Sequence, residues 1–556
     1  MIRSELLCLV FWPRYLYVTG GIIIMVKKLN EQQQQAVDSN SSKILCLAGA
    51  GAGKTATMIE RISRIVNEGV WPTNILVLTF TNAAGFEMRE RYKQKHPNQI
   101  IPEFRTFHSF CYSLIVRDKS VRDALGYKSV PTIAEEAEIK KLETQAKMQC
   151  NIKLSESKLR GDVRLTESEQ YEFELYQKAV KRLIREANII TFDMLCYDVG
   201  QLFVDNHPTI LKYKDQYKYI FVDEFQDTDM KQIKFLNSFE NTNFFFCGDT
   251  LQNIYQFRGC TNDTIKLLSK DDSWEQIKLY QNYRSTNQIC DFANKMSTYA
   301  DEVYRIEMNG QRDGDKVKVF GGSCVDWNHP VDEDHIDMLI EEIHQLDSGD
   351  AAVLCRTNRE VEHVCKVFDS LGIPYATGKR NVDAIHILKS SIDNSYMLDW
   401  LATFLNAQKY GEFIRLAAQV ENPDIKWFAN TYGKQPKINE RGKTIVKIRK
   451  ILKDDTLPII SKCMDILSAL GIDDVVLDVV PQDDASIVNH LIEAIEEAQS
   501  SELYVGTIHS SKGLEYGTVY VMGVNDKSFP LRGEDMLNLY YVAITRAKNH
   551  LVVFRR

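Results

Sequence analysis

Short, uninterrupted apolar runs alternate along the chain with longer segments of mixed polarity that suit amphipathic helices. Residues 75–80, 219–222 and 244–247 are three such runs, and they are rich in β-branched and aromatic side chains. Strands that are apolar throughout are typical of parallel sheets, because helices cover both faces of such a sheet. The pattern therefore predicts an α/β protein built on parallel sheets.

The alternation is interrupted twice by charged segments that favour helix. After residue 281 a second α/β series begins, with predicted strands at 316–320, 351–355, 503–508, 518–522 and 550–554. We therefore expect two α/β cores, each carrying a helical insertion. The predicted boundaries are 25–115 and 188–281 for the first core, 116–187 for its insertion, 282–380 and 499–556 for the second core, and 381–498 for its insertion.

Residues 1–24 form an N-terminal extension to which we assign no role. Its apolar stretches, residues 6–12 and 15–25, are separated by Pro13 and Arg14. Each stretch is too short to span a bilayer as a helix. We therefore expect no membrane contact, and Met25 is a second candidate start.

Composition limits the classes of partner and compartment. With 556 residues the chain exceeds the size of a single hydrophobic core. Its net charge of −8 excludes a basic surface overall, so any nucleic-acid contact has to be a local groove. The twelve cysteines include no C-x-x-C pair, which argues against a structural metal cluster and suits a reducing cytoplasm.

A glycine-rich loop lies between an apolar run and a helix-like segment. The backbone N–H groups of such a loop turn inward on a polyphosphate, and the following helix N-terminus adds partial positive charge. Lys54 is placed to reach the outer phosphates, and Thr55 offers a hydroxyl to Mg²⁺. A flexible linker would need neither this Lys-Thr pair nor the preceding strand. The predicted phosphate-binding residues are Ala48, Gly49, Ala50, Gly51, Ala52, Gly53, Lys54, Thr55 and Ala56.

A second motif, which is acidic, follows the apolar run at residues 219–222. Asp223 and Glu224 begin the string D-E-F-Q-D-T. We expect Asp223 to hold Mg²⁺ together with Thr55, and Glu224 to orient and polarise the attacking water. A bare Asp-Glu pair would be read as a solvated strand end, but the six-residue string is more specific than that pair.

These two motifs belong to an ordered series. The others are L-N-E-Q-Q at 29–33, T-F-T-N-A-A at 79–84, T-F-H-S at 106–109, G-D-T-L-Q at 248–252, Q-N-Y-R-S-T at 281–286, T-I-H-S-S-K-G-L-E at 507–515 and Y-V-A-I-T-R-A at 541–547. The series resembles the motifs of superfamily 1 DNA helicases of the UvrD/Rep/PcrA type, from residue 29 to the C-terminus. The resemblance implies two RecA-like cores of the P-loop NTPase class, with ATP and Mg²⁺ bound between them.

The resemblance also implies an arginine pair at the γ-phosphate. Arg284 and Arg546 would reach across from the second core, because planar guanidinium groups suit a phosphate whose charge spreads during transfer. Either arginine alone would be read as a surface ion-pair partner. Gln252 would couple the γ-phosphate to the DNA groove. The implied catalytic residues are Lys54, Asp223, Glu224, Gln252, Arg284 and Arg546.

The nucleoside would be held by four further residues. On the resemblance, Tyr283 stacks on the adenine and Gln33 hydrogen-bonds its edge. Glu515 takes the ribose hydroxyl, and Gly513 precedes it in the same motif.

Single-stranded DNA would bind through aromatic and neutral polar side chains. Tyr255 and Phe257, beside Arg258, would be stacking platforms, although from composition alone both rings would be read as core. Related helicases often carry tryptophan where this chain has Phe257. The other predicted DNA contacts are Thr81, Asn82, Thr106, Phe107, His108, Thr507 and His509, several of which would hold phosphates or sugars by neutral hydrogen bonds.

The chain departs from the family in ways that leave the function open. Residues 534–538 read E-D-M-L-N where the family commonly has Glu-Glu and Arg-Arg pairs. Both insertions are short, no Gly-x-Gly hairpin suggests a duplex clamp, and we expect no appended nuclease domain.

The leading hypothesis is an ATP-dependent DNA helicase that moves 3′ to 5′ on single-stranded or tailed DNA, in repair or another pathway. One alternative is a DNA-stimulated ATPase beside a nuclease partner, as in antiviral defence of the Gabija type. The other is a non-catalytic, nucleotide-dependent DNA-binding scaffold.

Overall fold

The computed structural model describes most of the two predicted cores. The described residues are 15–19, 22–26, 29–97, 99–134, 136–159, 165–256, 260, 262–298, 305–321, 333–346, 350–377, 447, 451, 462, 465–466, 503–525, 529 and 533–555. Near the N-terminus, β1 (Tyr15–Thr19) and β2 (Ile22–Val26) pair in antiparallel fashion. The predicted second insertion, residues 381–498, lies outside the described residues except for five positions.

The first core is a parallel sheet whose central strands are buried. In spatial order the strands are β10 (Glu275–Leu279), β3 (Lys43–Ala48), β9 (Asn243–Gly248), β8 (Tyr219–Val222), β4 (Ile75–Thr79) and β5 (Glu103–Thr106). Every residue of β4 is buried, and so are the last five residues of β3. Apolar side chains on both faces therefore explain the uninterrupted runs of the sequence.

Helices cover this sheet on both sides, and a helical segment interrupts it. The helices of this part of the chain are α1 (Glu31–Asp38), α2 (Lys54–Asn67), α3 (Asn82–Lys95), α4 (Phe107–Arg117), α5 (Lys119–Ala124), α6 (Glu136–Gln149), α7 (Glu156–Leu159), α8 (Glu167–Glu186), α9 (Phe192–Val204), α10 (Leu211–Gln216), α11 (Met230–Asn237) and α12 (Asp263–Leu268). Two short strands, β6 (Thr132–Ile133) and β7 (Ile189–Ile190), pair in parallel at the two ends of the α6–α8 segment. The two ends of this helical segment therefore lie next to each other.

The second core is also a parallel sheet. Its strands, in spatial order, are β11 (Lys318–Gly321), β15 (Ala547–Arg555), β14 (Tyr516–Val524), β12 (Ala351–Cys355) and β13 (Tyr504–Thr507). Its helices are α13 (Asn287–Ser297), α14 (Glu333–His344), α15 (Asn358–Leu371) and α16 (Glu534–Ile544). The predicted fold class, two parallel-sheet α/β cores, is confirmed. The domain boundaries stay a prediction.

The carboxyl ends of these strands bring the distant sequence motifs together. In a parallel sheet all strand ends of one kind lie at the same edge, where ligands of open α/β folds bind. In the first sheet β3 leads into the glycine-rich loop, β8 into Asp223, and β9 into Asp249. Among the described residues, no helix combines the length and apolar character needed to cross a membrane.

Candidate active site and nucleic-acid groove

The glycine-rich loop has a backbone and surroundings that only glycine fits at two positions. Gly51 and Gly53 have φ angles of +67° and +78°, in the left-handed region. A Cβ at Gly51 would lie 2.7 Å from the Cβ of Arg284, and one at Gly53 would lie 2.8 Å from Gln33 Nε2. The left-handed turn therefore requires both glycines, and the close approach of Arg284 requires Gly51 in addition.

Lys54 and Thr55 open helix α2, directly after the loop. The ammonium group of Lys54 lies 3.3 Å from a carboxylate oxygen of Glu224, and both side chains are largely buried. Burial alone would lower the pKa of Lys54, but Glu224, Asp249 and Asp223 outweigh it and raise that pKa. Lys54 is therefore a fixed positive charge facing the carboxylates of the first core.

The acidic motif turns sharply at the end of β8. Glu224 has a φ of +49°, which is unusual for a residue with a side chain. Its N–H donates to the carboxylate of Asp223 at 3.0 Å. Burial, and the neighbouring Glu224 charge, raise the pKa of Asp223 to about 7. Burial opposes the charge of Glu224 too, but Lys54 and Lys512 outweigh it and lower the pKa of Glu224. The two carboxylates thus have different environments.

Gln226 holds Glu224 in place, a role that the sequence did not predict. Its side-chain amide donates to a carboxylate oxygen of Glu224 at 2.6 Å. Its carbonyl oxygen accepts the N–H of Asp249 at 3.0 Å, so this buried side chain joins β8 to β9. Its place inside the D-E-F-Q-D-T string was the signal available.

Arg546 reaches the first core from a buried position just after α16. Its guanidinium group donates to the carbonyl oxygens of Val542, at 3.0 Å, and Leu514, at 3.2 Å. It also lies 3.5 Å from the side-chain oxygen of Gln252, whose amide donates to Asp249 at 2.8 Å. Burial, and then the charge of Arg284, lower the pKa of Arg546. The structure therefore joins Arg546 and Gln252 at the cleft between the cores.

Arg284 lies on the same cleft, and other residues of the second core hold its side chain. Its Nε donates to the carboxylate of Glu515 at 2.6 Å, and its Nη1 to the carbonyl of Thr545 at 3.0 Å. Burial would raise the pKa of Glu515, but Arg284 outweighs it and lowers that pKa. Gly513, two residues before Glu515, has a φ of +89°, in the left-handed region.

The predicted adenine-binding residues are neighbours. The hydroxyl of Tyr283 donates to the side-chain oxygen of Gln33 at 3.3 Å, and the amide of Gln33 donates to the carbonyl of Ala52 at 3.0 Å. A cavity of about 330 Å³ adjoins them. Its lining includes Tyr283, Arg284, Arg312, Glu515 and Lys548. An aromatic ring and three cations therefore line this pocket, which suits a nucleotide.

Asn282 connects the glycine-rich loop to the chain entering the second core, and the sequence did not single it out. Its amide donates to the carbonyl of Ala50 at 2.8 Å. Its oxygen accepts the N–H groups of Arg284 and Ser285, each at 2.7 Å. The residue is 1% exposed. Asn282 thus sets the position of Arg284 relative to the loop.

Several predicted DNA contacts lie at helix starts in the first core. Thr81 caps α3 by accepting the N–H of Ala84, and Asn82 is the first residue of that helix. Thr106 caps α4, and His108 is in its first turn and partly exposed. Phe107 differs from the others, because its ring is buried in the core and packs edge-on against another phenylalanine.

Tyr255 has side chains of both cores around its ring. Phe80 stacks on it, with centroids 4.7 Å apart and planes 24° apart. The ammonium group of Lys512 lies 4.7 Å from the ring centroid, and the ring of His509 lies 6.4 Å away. Phe80 and Lys512 were not predicted, although each occurs inside a quoted motif. Phe257 and Arg258 lie outside the described residues.

The second core lines a groove next to Tyr255. A cavity of about 260 Å³ is bounded by residues of both cores, including Ile254, Arg356, Thr357 and His509. Thr507 caps the turn that carries His509 by accepting the N–H of Ser510 at 3.2 Å. Arg356 and Thr357 follow the end of β12, and that position was the signal that could have found them.

Helix α16 carries the segment in which the chain departs from the family. The amide of Asn538 is buried and donates to the carbonyls of Thr250, at 3.3 Å, and Asn253, at 3.0 Å. Glu534, one turn earlier, accepts a hydrogen bond from Asn262. These hydrogen bonds join the second core to the first. The residues that differ from the family pattern therefore form a polar interface between the cores.

Among the described residues, no cluster of three or more histidine, cysteine or acidic side chains could hold a metal ion by itself. Asp223 and Thr55 are side chains that could hold a divalent ion together with a bound phosphate. Oxygen ligands of this kind suit Mg²⁺, which is usually held by few protein groups and by substrate phosphates.

A glycine-rich phosphate loop, an acidic strand end and arginines from a second parallel-sheet core define a P-loop NTPase with two RecA-like cores. Family models agree with this class. The UvrD/REP helicase N-terminal domain matches residues 29–273, and the UvrD-like helicase C-terminal domain matches residues 277–416 and 482–555. The chain belongs to the UvrD-like helicase family, and is accordingly an ATP-hydrolysing DNA helicase by class.

Known relatives resemble the chain over most of its length. An ATP-dependent DNA helicase PcrA from Staphylococcus epidermidis is 25% identical over 95% of this chain and 83% of its own. A PcrA protein from Staphylococcus aureus shows the same identity and coverage. A probable DNA helicase II homolog from Mycoplasma pneumoniae is 25% identical over 94% of this chain and 83% of its own.

Proposed function

We propose that this enzyme moves along single-stranded DNA, 3′ to 5′, and separates tailed duplexes by hydrolysing ATP between its two cores. The observation that supports the proposal most is that Arg546 of the second core lies 3.5 Å from Gln252 of the first, while Arg284 lies against the glycine-rich loop. A site shared by two cores is complete only when the cleft is closed. The direction is proposed from the family resemblance.

The nucleotide would lie in the cleft with its phosphates on the glycine-rich loop. Lys54 would neutralise the outer phosphates, and its ion pair with Glu224 supports its place beside the proposed catalytic carboxylate. Thr55 and Asp223 would hold Mg²⁺, which supplies charge neutralisation and orients the phosphates. Glu224, fixed by Gln226, would take the proton of the attacking water.

The second core would complete the site. Arg284 and Arg546 stabilise the charge that spreads over the γ-phosphate, because guanidinium groups stay protonated and match phosphate oxygens in pairs. Tyr283 stacks on the adenine and Gln33 bonds its edge. Glu515 is paired with Arg284 and would exchange part of that pairing for the ribose.

Single-stranded DNA would follow the groove formed at the strand ends of both cores. Tyr255 and Phe80 offer stacking surfaces, to which every base can bind. Thr81, His108, Thr507 and His509 would contact the backbone, with Arg356 as a cation beside them. Phe107 is left out, because its ring is buried.

ATPase and unwinding assays test the proposal together. Turnover is measured with and without oligo-dT, and unwinding is measured on duplexes with a 3′ or a 5′ single-stranded tail. We expect stimulation by DNA and unwinding of the 3′-tailed substrate. Unwinding of only the 5′-tailed substrate would contradict the direction.

The same assays separate the alternative functions. ATP hydrolysis that DNA stimulates, without unwinding by the chain alone, would favour a subunit that works beside a nuclease partner. The absence of hydrolysis would favour a scaffold. Because ATP and DNA meet in the cytoplasm, we propose that compartment for the enzyme.

A further inference from the structure

Lys512 connects the two cores at a buried point that the nucleotide site does not explain. It belongs to the second core, in the turn after His509. Its ammonium group lies 2.5 Å from the carboxylate of Asp227 and 2.9 Å from the main-chain carbonyl of Gln252, both in the first core. The Lys512 side chain is 10% exposed and that of Asp227 is fully buried. Lys512 therefore contacts the turn that follows Glu224 and the backbone of Gln252. Glu224 and Gln252 are the two first-core residues proposed to act at the γ-phosphate.

The same ammonium group contacts the proposed DNA-stacking ring. It lies 4.7 Å from the centroid of Tyr255, a distance at which a cation is attracted to an aromatic face. The ring of Phe80 already stacks on Tyr255. A base that stacks on Tyr255 has to compete with Phe80 or Lys512, and so changes the surroundings of this cation.

Asp227 is connected to the catalytic carboxylate through one short turn. The N–H of Asp227 donates to the main-chain carbonyl of Glu224 at 2.9 Å. Gln226, between them, donates to the Glu224 side chain. A shift of Asp227 would therefore move the turn that carries Glu224, and a shift of Lys512 would release the carbonyl of Gln252.

The ion pair is poorly arranged for stability alone. One carboxylate oxygen of Asp227 is buried without a hydrogen-bond partner. Removing charges from water costs several kcal/mol per ion, and a buried pair repays it only when all its hydrogen bonds are made. A pair of this kind is better suited to set the relative position of two parts than to stabilise them.

We propose that Lys512 is a positioning residue that couples occupancy of the Tyr255 stacking position by a DNA base to Gln252 and the Glu224 turn. The proposal rests on the proposed function, because it assigns a route for DNA stimulation. A base on Tyr255 takes the place of the Lys512 contact with the ring, so that Asp227 and the Gln252 carbonyl alone hold the ammonium group, and this is the arrangement that favours turnover. The ligand sensed is any nucleobase, because a stacking contact does not read sequence.

The ratio of ATPase turnover with oligo-dT to turnover without it measures this coupling. The wild-type enzyme is tested first, and if DNA does not stimulate it, the proposed function fails before Lys512 is examined. In Lys512→Met we expect that ratio to fall on the order of tenfold, with the KM for ATP little changed. Lys318→Met is the matched control, because it removes an exposed second-core lysine that also pairs with a carboxylate, and it should keep the ratio.

A double variant separates coupling from stability. Lys512→Met leaves Asp227 without its cation and should lower the melting temperature. Adding Asp227→Asn removes the unpaired charge, so the double variant should regain much of the melting temperature while the ratio stays low. A double variant that regains the wild-type ratio would overturn the proposal, because the pair would then be structural only.

A double-mutant cycle with Tyr255 tests the route itself. If Lys512 acts through the ring, Tyr255→Leu should lower the ratio, and adding Lys512→Met should lower it little further. Tyr255→Phe retains the aromatic face and should retain most of the ratio. Fully additive losses from Lys512→Met and Tyr255→Leu would overturn the proposal, and so would a normal ratio in Lys512→Met.

Discussion

Arg546 offers the sharpest test of catalysis between two cores. The variant Arg546→Ala removes the guanidinium group of a residue that is 2% exposed. The N–H donors of this group already have acceptors in the structure. Two of them bind the carbonyl oxygens of Val542 and Leu514, and another faces Gln252. Because these contacts fix the group before ATP binds, its contribution should be expressed mainly in the transition state.

The expected loss of turnover is large. An arginine finger contributes on the order of a thousandfold or more to kcat, and a thousandfold corresponds to about 4 kcal/mol of activation free energy. Truncation also leaves the carbonyls of Val542 and Leu514 to find other partners, at about 1–3 kcal/mol each when no water replaces the donor. The variant should therefore show both slower turnover and a lower melting temperature.

Kinetics and stability together separate these effects. Steady-state ATPase assays with oligo-dT give kcat, a fluorescent ATP analogue gives nucleotide affinity, and calorimetry gives the melting temperature. Arg546→Lys is the control, since it keeps a positive charge but loses the paired N–H donors of the guanidinium group. Arg284→Ala should lower kcat comparably. If both alanine variants lost nucleotide binding and kept normal maximal turnover, the shared site would be refuted.

Four further variants test other parts of the site. Lys54→Ala should abolish ATP hydrolysis while circular dichroism stays unchanged, and normal turnover would contradict the phosphate-loop assignment. Glu224→Gln should bind ATP in a filter assay and stall, because it lacks the base. Replacing Tyr255 and Phe257 together by Ala should cost roughly 2–6 kcal/mol of single-strand affinity at most, alike for every base sequence, as measured by anisotropy. A double variant that is destabilised but binds DNA normally would show that the rings are core. Asn282→Ala should lower the melting temperature, since it leaves up to three buried backbone groups unpaired at about 1–3 kcal/mol each.

The central strands could be predicted from the sequence because both of their faces are buried. Residues 219–222 and 351–355 were predicted with the bounds that the structure shows. Other strands differ by a few residues at their ends, as with β15, which begins at Ala547 rather than at residue 550. Strand ends depend on neighbouring strands, and the hydrophobic pattern of one segment does not contain that information.

Prediction of the site from the sequence was limited in a similar way. Motif order allowed a prediction of the residues that face the nucleotide, and that prediction stays open, but contacts between distant segments were not predictable. Asn282, Gln226 and Lys512 have roles that exist only because another segment supplies the partner atom. Phe107 shows the reverse case, since a motif position indicated DNA whereas the fold buries the ring among apolar side chains.

Helix α16 has a mechanical consequence. Asn538, on this helix, is bound to the first-core segment that leads to Tyr255, and Arg546 lies eight positions further along the chain. Helix α16 ends at Ile544, two residues before Arg546, so the six helical positions from Asn538 span about 9 Å at 1.5 Å each and form a nearly rigid rod. A small rotation of this rod at its groove end would reorient the arginine at the other end without any local unfolding. Substitutions at the groove end should therefore change the rate of ATP hydrolysis although none of them contacts the nucleotide, which makes α16 the segment in which to search for variants with altered step rate.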